Sequence, residues 1–101
     1  MIRDRAYYSK KQIRNLILQN NVQITEQARS TAQECFGWDI DDICSAILEL
    51  PIKYCYKSET RFDNPQIWVD YYRAYDLKGE NVYTHFYVDS NNLIIDSLKE
   101  E

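Results

Sequence analysis

The hydrophobic period of this chain changes once, at Pro51, and that change constrains the fold more than any other feature. Before it, apolar residues recur three and four apart, as on one face of a helix; after it they alternate, as on half-buried strands. "SKKQIRNLILQNN" reads as a helix, with Ser9 and Gln12 at capping-box spacing and Ile13, Leu16 and Ile17 in one stripe. A second helix, "TEQARSTAQECFG", takes Thr25 as N-cap, turns Ala28, Ala32, Cys35 and Phe36 inward and stops at Gly37. A third, "DIDDICSAILELP", is capped by Asp39, carries Ile40, Ile43, Ile47 and Leu50 on its apolar face and cannot continue through Pro51. "VQI" at 22–24 fits a short extended piece.

Downstream, "KYCYKSETRF", "QIWVDYYRAY", "NVYTHFYVD" and "LIIDSLK" are four β-rich runs. Asp63-Asn64-Pro65, Lys78-Gly79-Glu80-Asn81 and Asp89-Ser90-Asn91-Asn92 separate them. Connections this short predict antiparallel neighbours in a meander. Helices first and strands after give an α+β fold, a single domain over residues 1–101, with the helices packed on one face of an antiparallel sheet. The other face is left for solvent or a partner, and function belongs there.

Composition excludes several classes. Cys35, Cys44 and Cys55 are an odd set with no C-x-x-C, which argues against a disulfide framework or a zinc site and for small buried thiols in a reducing cytoplasm. No apolar run reaches the roughly 18 residues of a membrane span. No signal peptide is evident, so a cytoplasmic location is expected. With Gly37 and Gly79 as the only glycines, no Gly-rich phosphate loop can form. The acidic "DIDD" is accounted for by a helix cap rather than a metal loop, and no cofactor is implied. The net charge of −4 does not advertise a nucleic-acid binder, but residues 1–14 carry Arg3, Arg5, Lys10, Lys11 and Arg14 against Asp4 alone. A local basic surface on an acidic protein is expected.

The candidate chemistry lies on the strands. Tyr83, His85 and Tyr87 share one strand face by alternation, and Lys57, Arg73 and Lys99 lie on the other strands. Periodicity alone does not assign faces to those cations, and a histidine between tyrosines also suits a plain cross-strand pair. Lysine, arginine, histidine and tyrosine together nevertheless suit metal-independent RNA cleavage. There the 2′-hydroxyl attacks the adjacent phosphate, a base removes its proton, cations stabilise the phosphorane and an acid protonates the leaving 5′-oxygen. Tyrosines also stack splayed bases. Lys57, Tyr83, His85 and Lys99 are the candidate catalytic residues; Arg73, Tyr72 and Tyr87 are the candidates for substrate contact.

The run "CYKSETRFDNPQIWVDYYR", then "GENVYTHFYVD" and "LIIDSLKEE", resembles the MqsR family of toxins from type II toxin–antitoxin systems. That family's pattern has "FYKS", a short turn, "IWQDVYR", a strand with "VY-x-K" and a C-terminal "SFKEK". The resemblance covers nearly the whole chain. It implies a RelE-like fold and an endoribonuclease that cuts mRNA at short sequence contexts and arrests translation. It also implies a cognate antitoxin as partner, in a heterotetramer or higher complex. Lys57 matches the lysine of "FYKS", Arg73 the arginine of "IWQDVYR", Tyr83 the tyrosine of "VY-x-K", and Lys99 the C-terminal lysine. In two places the chain departs from the pattern: Val69 stands for the glutamine between Trp and Asp, and His85 for the lysine after the tyrosine. Valine has no hydrogen-bonding group, and histidine titrates near neutrality where lysine is a permanent cation. A second reading therefore stays open beside the nuclease: a protein on the same scaffold that acts by binding a partner.

Overall fold

A computed structural model describes residues 1–101. The elements run β1 (Ile2–Arg3), α1 (Lys10–Leu18), β2 (Val22–Ile24), α2 (Glu26–Phe36), α3 (Ile40–Glu49), β3 (Cys55–Thr60), β4 (Trp68–Leu77), β5 (Glu80–Asp89) and β6 (Asn92–Glu100), with one 3₁₀ turn at Ile52–Tyr54. The helices begin where the sequence places their caps. Ser9 accepts from the Gln12 N–H and Thr25 from the Ala28 N–H, while Asp39 and Asp42 form a reciprocal capping box. Gly37 ends α2 in the left-handed region at φ 70°, where a side chain would be strained.

The four long strands form the expected antiparallel meander. Lys78-Gly79 and Ser90-Asn91, all at positive φ, make the two-residue hairpin turns. The sheet has six strands in the order β1-β3-β4-β5-β6-β2. Both edges are additions that alternation did not reveal. β1 pairs antiparallel with β3, and the extended "VQI" pairs parallel with β6 through the crossover that β2 makes to the far edge.

Helices cover one face of the sheet. Ile13 and Leu16 of α1, Ala32 of α2 and Ile43, Ala46 and Ile47 of α3 join Tyr72, Ala74, Val82, Phe86, Leu93, Ile95 and Leu98 in one core. Two apolar expectations fail at the helix ends. Cys35 is exposed, and Ile40 is 48% exposed in the first turn of α3. Both lie at the rim of the sheet's cover, where a helix face runs past the strands it packs on. The cysteines differ accordingly: Cys55 is buried, Cys44 intermediate, and only the first of the three lies open to solvent.

The N-terminal segment is fastened to the sheet by a buried carboxylate. Asp70, fully buried, accepts from the backbone N–H groups of Tyr7 at 2.9 Å and Tyr8 at 3.0 Å. The Tyr8 hydroxyl donates to the Trp68 carbonyl at 2.6 Å. This clamp sets the course of residues 2–8 along the edge of the functional face.

Candidate active face

The sheet's uncovered face is built by register. Val69, Tyr71 and Arg73 of β4 stand opposite Tyr87, His85 and Tyr83 of β5. Strict alternation would not carry the lysines there. β3 and β6 each hold a β-bulge, an extra residue that reverses which face the following side chains take. On β3 the register slips between Cys55, opposite Tyr72, and Lys57, opposite Tyr71. Cys55 and Ser58 are therefore buried while Lys57 faces out. On β6 Ile95 is opposite Phe86 but Ser97 is opposite His85, so Asp96 is extra. Leu98 then points into the core and Lys99 stands beside Tyr83.

A hydrogen-bonded line crosses this face. The Tyr83 hydroxyl lies 2.9 Å from His85 Nδ1, and His85 Nε2 lies 3.4 Å from Asp96 Oδ2. A carboxylate beside Nε2 favours the Nε2–H tautomer, which leaves Nδ1 to accept from the phenol. Burial is the main influence on His85 and lowers its pKa. Asp96 opposes the shift, and Lys99 and Lys57 add to it. Burial likewise pushes the Tyr83 phenol up to about 12, helped by neighbouring Tyr56 and Tyr71. The resting pair is thus a neutral phenol donating to a neutral imidazole.

Cations surround the line, each lodged against an aromatic ring. Lys57 Nζ is 4.6 Å from the Tyr71 centroid, Arg73 4.3 Å from Tyr56, Lys99 5.3 Å from Tyr83 and Arg61 4.4 Å from Tyr87. Lys57 also pairs with Glu59 at 3.2 Å, and Arg73 with Glu101 at 3.7 Å; Lys99 forms no ion pair. Beside His85 a cavity of about 570 Å³ is lined by Glu59, Arg61, Phe62, Tyr71, His85 and Asp96, among others. Phe62 is fully exposed at its mouth. No three histidine, cysteine or carboxylate side chains come together in a group that could hold a metal ion.

The structure thus brings together Lys57, Arg73, Tyr83, His85, Tyr87 and Lys99. Tyr72 is a correction. Next to Arg73 in sequence, it takes the opposite face, is 4% exposed and stacks on Phe86, so it cannot touch a ligand on the open side. Asp96, Tyr56 and Tyr71 were missed. Tyr71 could have been found, because it alternates with Arg73; Asp96 and Tyr56 could not, because each sits in a bulge. Val69 lies on this face at 5% exposure, within the cavity beside His85.

Sequence comparison adds two findings. The family described as "Motility quorum-sensing regulator, toxin of MqsA" matches residues 5–100. An mRNA interferase toxin MqsR from Escherichia coli (strain K12) is 34% identical over 90 residues, which cover 89% of this chain and 89% of that protein.

Proposed function

The chain belongs to the MqsR toxin family, and we propose that it is a toxin that cleaves mRNA on the open face of its sheet, without a metal. The observation that carries this reading is the Tyr83–His85–Asp96 line with Lys57, Arg73 and Lys99 beside it.

In this mechanism a phosphodiester lies across Tyr83. The substrate 2′-hydroxyl passes its proton to the Tyr83 oxygen while the phenol proton moves to His85 Nδ1. The imidazolium so formed is stabilised by Asp96, and the high phenol pKa keeps phenolate from accumulating. The 2′-oxygen bonds to phosphorus and the bond to the 5′-oxygen breaks, giving a 2′,3′-cyclic phosphate and a 5′-hydroxyl. Lys57, Arg73 and Lys99 stabilise the added negative charge. An ammonium of Lys57 or Lys99 supplies the proton to the leaving oxygen, and solvent restores it as His85 releases its own. His85 stands where the family pattern has lysine, and as a neutral imidazole it can accept the proton behind the tyrosine, which an ammonium cannot. Tyr87 and the exposed Phe62 offer rings to adjacent bases. Translation arrest would follow from mRNA cleavage, and a cognate antitoxin would hold the toxin inactive in a heterotetramer or higher complex.

Induced expression of the wild type should stop growth, and the purified protein should cut RNA in the presence of a chelator. Lys57→Ala, Tyr83→Ala and His85→Ala should each lose most of that cleavage. Intact RNA and normal growth with the wild type would sink the proposal. A second reading, a protein that acts by binding alone, is favoured by Val69 and by the pairing of Lys57 and Arg73 with Glu59 and Glu101. Tight partner binding with RNA uncut under all conditions would establish it.

A further inference from the structure

The open face continues into a second basic recess. Ile2 and Arg3 lie opposite Glu59 and Ser58, and the chain then runs through Asp4 and Arg5 to the Asp70 clamp at Tyr7 and Tyr8. The result is a cleft of about 550 Å³ lined by Ile2, Arg3, Asp4, Arg5, Tyr56 and Lys57. Its lining carries three cationic residues and one acid, on a protein whose net charge is −4.

The cleft is continuous with the active face, because Lys57 and Tyr56 belong to both. Arg73 sits over the Tyr56 ring, and Lys57 stands opposite Tyr71, beside His85. Arg5 is the cation of the lining that is committed to neither a carboxylate nor a ring. Arg3, opposite the buried Ser58, turns to the helix side and lies 5.6 Å from the centroids of both Tyr7 and Trp68, which themselves stack, whereas Arg5 is exposed with no ion pair. The backbone that carries Arg5 is held between the β1 pairing and the buried Asp70, so the cation is placed in advance. A cationic groove beside an aromatic ring is how proteins track a single nucleic-acid strand without reading its sequence.

We propose that this cleft is a subsite for the nucleotide flanking the one that is cut. Arg5 takes its phosphate, and Tyr56 forms the wall against its sugar and base. The subsite rests on the nuclease reading, and it deepens that reading by naming the substrate as a single strand extending past the scissile bond toward β1. It also accounts for how an acidic protein can hold RNA: the phosphate contacts are concentrated along one edge.

The test uses a single strand of mixed sequence built entirely of 2′-deoxynucleotides, which lacks the attacking hydroxyl and is bound without being cut. Its affinity is measured by fluorescence anisotropy over a range of salt concentrations. Each phosphate neutralised on a single strand contributes about 0.7 to the slope of log affinity against log salt. Arg5→Ala should weaken binding and flatten the slope by about 0.7, while Arg5→Lys should restore it. Arg14→Ala, on the far side in α1, should match the wild type. An unchanged slope in Arg5→Ala, or a loss in Arg5→Lys as large as in Arg5→Ala, overturns the subsite. Wild-type protein that binds with this signature yet never cleaves RNA overturns the nuclease reading and, with it, the flanking role, leaving the cleft a single-strand phosphate site alone.

Discussion

Asp70→Asn tests whether the functional edge depends on one buried carboxylate. Asp70 is fully buried and accepts two backbone N–H groups, at 2.9 and 3.0 Å. A hydrogen bond to a charged group is worth about 1.5–3 kcal/mol, so the pair contributes on the order of 3–6 kcal/mol before desolvation. Burial raises the pKa of this carboxyl, so taking the charge out of water offsets part of that gain. Asparagine preserves the shape but keeps one acceptor oxygen; its amide N–H₂ then faces a backbone N–H across a donor–donor contact. The expected net loss is about 2–4 kcal/mol, a large share of the 5–15 kcal/mol typical of a domain this size. Melting temperature should fall by on the order of 15 °C. Urea unfolding followed by fluorescence of Trp38 and Trp68 measures the loss directly. A midpoint that gives a stability within about 0.5 kcal/mol of wild type, the range of ordinary surface changes, would refute the clamp.

Two further outcomes follow from the open face. Burial holds His85 below its usual 6.5, with Lys57 and Lys99 acting in the same direction, Asp96 against it, and Tyr71 and Tyr83 neutral. As pH falls the unfolded chain takes up this proton first, so the stability tied to neutral His85 is complete above pH 6.5 and is lost as pH drops through the folded value. Cleavage needs the same neutral ring, so its acid limb should lie below 6.5; Asp96→Asn removes a stabiliser of the imidazolium and should move that limb lower, and a pH–rate profile in which it moves up would contradict the relay. Val69→Gln restores the amide of the family pattern beside His85 and should raise cleavage on the order of tenfold, about 1.4 kcal/mol of barrier. The crowding it causes should cost about 1–3 kcal/mol of stability. A single-turnover assay with urea melts reads both, and an unchanged rate would show that the amide is dispensable here.

The sequence by itself determined the local pieces. Caps at Ser9, Thr25 and Asp39, the stop at Gly37, the turns at Lys78-Gly79 and Ser90-Asn91 and the shared face of Tyr83, His85 and Tyr87 all follow from short-range rules. Those rules act over one turn or one hairpin, where a handful of neighbouring residues decides the outcome. The strand-edge partners lie beyond that range: residues 22–24 find β6 about seventy positions away, and Ile2 finds Glu59. The site needed the same long reach. A bulge is set by how one strand meets its neighbour, and it reverses every face after it. Two such bulges present Lys57 and Lys99 on the open side and insert Asp96 beside His85. Alternation on β4 meanwhile keeps Tyr72 in the core, one residue from Arg73. Which residues this protein carries on its strands is written in the sequence, but which of them meet was decided only when the strands paired.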